Sequence, residues 1–294
     1  MCETQSKPKM NYKPFLVMGA FFPIIFYMGI LLSQPYKAAG ITAFESSSDP
    51  MNIVIMAVVL IIGTATILFF PQKLKDKEVL RAIFIGLCAY SVREVVYILI
   101  FPYLPVLYPM FVSTLFMGAT VVLLLQKPEW YVIDIIAIFL GAGATASIGM
   151  SFSVPLSIIL LVGMIIYDAF AVYKTKHMIG LAESVIRMRL PVIMIVPESL
   201  PYTWLTNNSL VGSKAHFMGL GDLVFPGMLV VSAHSNIQNP LVTFSIVLGT
   251  MVGFVGVSYL VSKGKPQAGL PFLCTGAILG FVVSSMIIYG RLML

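Results

Sequence analysis

Apolar residues run along this chain in long unbroken stretches, with neither the alternation of a half-buried strand nor the three-to-four spacing of a surface helix. A helix needs about 17–25 such residues to cross the hydrocarbon of a bilayer. Nine segments meet that length, at 14–32, 52–70, 80–100, 107–125, 131–150, 154–173, 217–233, 241–262 and 267–290. They predict an all-α integral membrane protein with nine transmembrane helices, built as a single polytopic domain over residues 1–294. Short links such as Ser151-Phe152-Ser153 and Asn236-Ile237-Gln238-Asn239 predict tightly packed neighbours. The longest connection is 174–216.

Composition strengthens this picture. Of 294 residues 59% are hydrophobic and 10% are charged, whereas soluble domains carry about 25% charged residues. Cys2, Cys88 and Cys274 are scattered, with no metal-ligand spacing, so they read as packing residues rather than a disulfide framework or zinc site.

The basic residues orient the bundle. Lys7, Lys9 and Lys13 precede the first span, Lys73, Lys75, Lys77 and Arg81 lie between the second and third, and Lys127 follows the fourth. Lys174, Lys176, Arg187, Arg189 and Lys214 occupy the long connection, and Lys263 and Lys265 precede the last span. Threading nine spans puts all of these on one side and leaves Lys37 and Arg291 on the other. By the positive-inside rule the N-terminus is cytoplasmic and the C-terminus extracytoplasmic, in a cell membrane. The net charge of +6 then reflects topology, and no nucleic-acid partner is implied. A cleavable leader ending near Lys37-Ala38-Ala39-Gly40 is the rival reading of residues 1–40, but its apolar run exceeds the 7–15 residues of a typical signal core.

Two aspartates fall inside the apolar spans. Asp168 lies in Ile165-Ile166-Tyr167-Asp168-Ala169-Phe170 and Asp222 in Gly219-Leu220-Gly221-Asp222-Leu223. A carboxylate near the middle of a membrane helix costs roughly 2.5–3.5 kcal/mol on insertion scales. Asp168 precedes Lys174 by six residues and Asp222 follows His216 by six, which places both about 9 Å below the cytoplasmic boundary. They are expected at one level on sequential antiparallel helices, whose axes pack about 8–10 Å apart. Gly219 and Gly221 would admit a close backbone or substrate; alternatively, Asp222 caps the seventh helix.

Paired carboxylates are what aspartyl hydrolysis requires. Two like charges in a poorly solvated site share one proton, so the ionised member can activate water while the protonated member donates to the scissile carbonyl. That chemistry needs no metal or cofactor.

Tyr167-Asp168, Gly219-Leu220-Gly221-Asp222 and Ala268-Gly269-Leu270-Pro271 together resemble the motifs of the GxGD intramembrane aspartyl proteases, the presenilin and signal peptide peptidase family. The nine-span layout extends the resemblance over nearly the whole chain. It implies Asp168 and Asp222 as the catalytic dyad, with Tyr167, Gly219, Leu220, Gly221, Ala268, Gly269, Leu270 and Pro271 as the surrounding motif and substrate-binding residues. The family's third motif usually reads Pro-Ala-Leu, so this chain has Ala268 in place of the proline and Gly269 in place of the alanine. Pro271 lacks an N–H and disfavours helix at Leu270, which predicts an irregular segment at this end of the ninth span. A cytoplasmic N-terminus is similar to presenilin, and the small size and missing long loops resemble microbial, archaeal homologues. The resemblance implies cleavage of membrane-spanning protein or peptide substrates whose N-terminus is outside. It leaves a homo-oligomer open.

Other features are weighed beside these. Leu190-Pro191-Val192-Ile193-Met194-Ile195-Val196-Pro197 is too short to span and is bracketed by prolines, which predicts a re-entrant or interfacial plug or gate. Arg93 and Glu94 are adjacent, about 100° apart on a helix, and are expected to seek other partners. Asp134 is expected to snorkel, and His177, His216 and His234 to lie at the surface. Intramembrane carboxylates also occur in proton- or cation-coupled transporters and channels, and prepilin-type peptidases share GxGD. The combination of three motifs favours the intramembrane protease.

Overall fold

The computed structural model describes residues 13–40, 42–44, 46–73, 77–172, 191–198, 215–262 and 267–293. Among these, nine helices form: α1 (Lys13–Ala38), α2 (Met51–Lys73), α3 (Lys77–Ile100), α4 (Leu107–Gln126), α5 (Trp130–Ser151), α6 (Val154–Phe170), α7 (Gly221–Ile237), α8 (Pro240–Val261) and α9 (Leu270–Tyr289). Six of them are long and apolar enough to cross a membrane: α1, α3, α4, α5, α8 and α9. A two-stranded antiparallel sheet joins them, β1 (Ile193–Pro197) with β2 (Ala215–Gly219), pairing Ile193 with Gly219 and Ile195 with Phe217.

Local chemistry sets several boundaries. Asn239 stops α7 and starts α8, its side chain accepting the Leu241 N–H at 3.0 Å while Pro240 occupies the first turn. Gln238 supplies the left-handed residue between the two helices, at φ 54°. Gly290 does the same after α9, at φ 67°.

Burial explains why α7 is apolar on every side. Leu223 through Ala233 are all buried, because α7 is surrounded by α1, α5, α6, α8 and α9. Phe22 and Phe26 of α1, Phe152, and Phe281 of α9 belong to the same buried apolar cluster as Met228 and Leu229. Glycines permit the closest approaches. A Cβ at Gly227 would fall 2.8 Å from both Phe26 and Thr145, and one at Gly149 would fall 2.9 Å from the Met228 carbonyl oxygen.

The closest packing joins α8 to α9. A Cβ on Gly249 would run into the Gly276 carbonyl, one on Gly253 into the Phe272 carbonyl, and one on Gly280 into the Ser245 carbonyl. These backbones touch without intervening side chains.

Several expectations change here. The helix expected at 217–233 starts at Gly221, because residues 215–219 are extended and pair with β1. Within the apolar stretch expected to form a re-entrant or interfacial plug or gate, residues 193–197 form β1, where β-branched Ile and Val residues suit a pleated, half-buried strand; a strand is compatible with that expected role. Arg93 and Glu94 do pair with each other, because the long arginine stem bridges their separation around the helix; its guanidinium also lies 6.0 Å from the Tyr90 ring centroid. Asp134 does not snorkel. It is 5% exposed and accepts the Ile195 N–H at 2.8 Å. His234 is half-buried, its Nδ1 3.5 Å from the Thr243 hydroxyl, and His177 lies outside the described residues. The first span extends to Ala38 and packs against α5 and α7 as part of the bundle.

Candidate active site

Three helix ends converge where the two aspartates lie. Asp168 is the third residue from the end of α6, whose helical path continues through residues 171–172, and Asp222 is the second residue of α7. Strand β2 takes the residues that the longer seventh span was expected to use, which removes the extra turn.

Asp168 is buried at 4% exposure and turns toward α9. Its Oδ2 accepts the Leu270 N–H at 3.1 Å. That amide belongs to the first turn of α9 and has no partner within its own helix, so a carboxylate from α6 satisfies it. Pro271, next in the turn, needs no such acceptor.

Asp222 has a different role in its helix. The N-cap position of α7 is Leu220, in helical conformation and without a side-chain cap, so Asp222 is not the capping residue. Its carboxylate lies against α9, with a Cβ on Gly269 falling only 3.2 Å from Asp222 Oδ2. Asp168 and Asp222 are within electrostatic range of one another, and the buried Cys274 thiol is within range of both.

A cavity of about 260 Å³ opens beside Asp222, walled in part by His216, Gly219, Phe254, Ser258, Gln267 and Gly269. It adjoins an apolar groove of about 500 Å³ between α1 and α8 that shares Phe15, Phe254 and Ser258. Gly219 walls this cavity, and Gly221 lies outside its lining. A Cβ on Gly219 would be 3.8 Å from Asp222 Oδ2 and one on Gly221 3.6 Å from the Phe225 ring, so packing within the fold does not demand either glycine.

Of the expected motif residues, the structure draws together Asp168, Asp222, Gly219, Gly269 and Leu270. Leu220 anchors the α7 start: its N–H donates to the Val192 carbonyl at 3.0 Å, and its side chain packs where a Cβ on Gly141 would be 3.0 Å away. Ala268 is fully buried and Gly269 sits in helical conformation at the cap of α9, so the irregular stretch expected there is confined to residues preceding Leu270. Tyr167 is 45% exposed and about 100° around α6 from Asp168, and neither residue is part of the cavity wall beside Asp222.

His216 was expected at the surface. It instead walls the cavity from β2, with its ring 4.7 Å from Phe15 and Nε2 3.5 Å from Glu198. Its two-residue spacing from Met218 across a pleated strand would have been the signal, had the strand been recognised.

Comparison with known proteins decides the affiliation. The sequence profile described as "Signal-peptide peptidase, presenilin aspartyl protease" matches residues 19–289. The chain belongs to this family. Two solved structures of a presenilin family intramembrane aspartate protease are similar to it. One, in the P2 space group, is 31% identical with a TM-score of 0.72, covering 95% of this chain and 100% of the other. The second, in the C222 space group, is 28% identical with a TM-score of 0.69, covering 93% and 98%. No curated protein sequence matches. Membership of the presenilin and signal-peptide peptidase family, together with six apolar helices of spanning length, makes the chain a multi-pass membrane protein.

Proposed function

We propose that this protein is an intramembrane aspartyl endopeptidase that cuts membrane-spanning segments with a water held between Asp168 and Asp222. The observation carrying this reading is that one short stretch of α9 meets both carboxylates, Leu270 through its N–H to Asp168 and Gly269 through close contact with Asp222. Two acids on separate helices are thereby held to one platform, with a cavity beside Asp222.

The chemistry follows from sharing one proton. The ionised carboxylate takes a proton from water as it attacks the peptide carbonyl carbon, while the protonated partner donates to the carbonyl oxygen. Collapse of the tetrahedral intermediate breaks the C–N bond, and the amine leaves with a proton returned from the dyad. A helical substrate must unwind locally first, because its carbonyl is otherwise committed to its own helix. The room beside Gly219 suits an extended backbone approaching Asp222.

Nine spans in a cell membrane, acting as one polytopic unit with the N-terminus in the cytoplasm, fit the distribution of Lys and Arg described above. This orientation places the dyad toward the cytoplasmic face and selects substrates whose N-terminus is outside. The family match and the structural similarity do not favour the carrier or prepilin-type readings.

The test is direct. Purified protein in detergent or lipid cuts a single-span substrate inside its span, and Asp168→Ala or Asp222→Ala lowers the rate by at least about 10³-fold. Cutting that survives either substitution removes the dyad. Ion flux into liposomes that needs both aspartates, without proteolysis, would instead identify a carrier.

A further inference from the structure

Asp134 is the fifth residue of α5 and is buried, and its Oδ1 accepts the Ile195 N–H at 2.8 Å. Register explains why that amide needs an outside acceptor. Leu220 N–H donates to the Val192 carbonyl, and these two residues continue the pairing of Ile193 with Gly219 by one step. Antiparallel pairs alternate between bonded and unbonded. Val192 with Leu220 is a bonded pair, so Ile195 with Phe217 falls at an unbonded one and the Ile195 N–H points away from β2. Ile195 is 2% exposed, packed with Ile133 and flanked by Trp130, so this amide would otherwise be a buried orphan.

We infer that Asp134 is a positioning residue for the active site: its carboxylate fixes β1 to α5, and the hairpin in turn fixes the start of the helix carrying Asp222. The remaining links are short. Leu220, bonded to the β1 end at Val192, lies two residues before Asp222 and also packs onto Gly141 of the same helix α5. Asp134 and Gly141 are seven residues apart, two turns along one face of α5. One helix face therefore holds the hairpin at one point and the α7 start at another. Asp134 does not line the cavity at Asp222, so it acts through the hairpin rather than on substrate.

Asp134→Asn keeps an acceptor oxygen at the same distance, Asp134→Ala removes it, and Asp134→Glu keeps the carboxyl group but displaces the acceptor by one methylene. Hydrogen exchange on the full-length protein in detergent reads the effect without requiring activity. In peptides covering 191–198 and 215–222, exchange is expected to speed by at least about tenfold in the Ala and Glu variants and to stay within about twofold of wild type in Asn. The kinetic effect rests on the proteolytic reading above. There kcat is expected to fall about 10- to 100-fold in Ala and Glu with KM within about threefold, and Asn to recover to within about fivefold of wild type. If the Ala variant does not fold, the Glu and Asn pair carries the comparison.

Unchanged hairpin exchange in Asp134→Ala or Asp134→Glu, or an Asn variant as impaired as these, overturns the role of the acceptor. Altered exchange in a protein that shows no proteolysis even as wild type would support the positioning role while removing the protease reading.

Discussion

The Leu270 N–H donates to Asp168 Oδ2 at 3.1 Å, joining two residues 102 positions apart in the chain. A carboxylate on one helix thus does for another helix what a capping residue ordinarily does for its own. Asp168 carries a structural and a proposed chemical duty at once, and substitutions can separate the two.

Asp168→Asn keeps an oxygen acceptor for Leu270 but cannot act as a carboxylate base. It should be inactive with nearly wild-type thermal stability in detergent. Asp168→Ala should be equally inactive and less stable by about 1 kcal/mol, the usual effect of losing a capping acceptor. Equal stability of the two variants would show that the Leu270 bond contributes nothing.

Gly269 is tuned to the neighbouring Asp222. A Cβ there would lie 3.2 Å from Asp222 Oδ2, close enough that the carboxylate must give by a few tenths of an ångström. The backbone at Gly269 is helical, so alanine introduces no conformational strain. Gly269→Ala, which restores the residue usual in the family, should keep activity within about fivefold. Gly269→Val, which cannot be relieved so easily, should lower kcat by about 100-fold with the fold intact by circular dichroism.

Sharing one proton sets the pH profile. At low pH both carboxyls are protonated and no base remains; at high pH both are ionised and no acid remains. A plot of kcat/KM over about pH 4–9 should therefore be bell-shaped and report the macroscopic constants of the pair. A flat profile would count against the dyad.

Topology can be read with cysteines. Cys88 and Cys274 are buried, and a Cys2→Ser background removes the third native thiol. A cysteine placed at Lys37 should react with an impermeant maleimide in intact cells, whereas one at Lys127 should react only after permeabilisation. The reverse pattern would invert the proposed orientation and with it the substrate direction.

Glycine contacts between α8 and α9 give a stability prediction. Gly253→Val or Gly276→Val puts side-chain atoms into the opposing backbone. The loss should be at least about 1–3 kcal/mol, as for overpacked cores, and visible as a lower unfolding temperature. Gly256→Val, whose Cβ would meet only the Phe272 ring at 3.8 Å, should be far milder.

The helices and both aspartates were legible in the sequence because apolar length and a misplaced charge are local signals. Cys88 and Cys274 were also read correctly as packing residues. What escaped depended on partners distant in sequence. Residues 217–219 read as the start of a span because a short apolar run suits a strand and a helix equally, and its partner lies beyond residues 199–214. Asp134 looked like a snorkelling side chain because nothing nearby reveals an amide supplied from Ile195, 61 positions away. Arg93 and Glu94 were misjudged for a geometric reason: angular separation constrains Cβ atoms, not the far end of a guanidinium.

The bare backbone contact between α8 and α9 also limits how the enzyme can open. Where carbonyl meets glycine with no side chain between, there are no rotamers to swing aside and no gap to widen gradually. The two helices should behave as a single rigid panel with Gly269 and Leu270 mounted on its rim. Access to the carboxylates must then come from displacing α6, α7 or the hairpin against that panel, or from moving the panel as one piece.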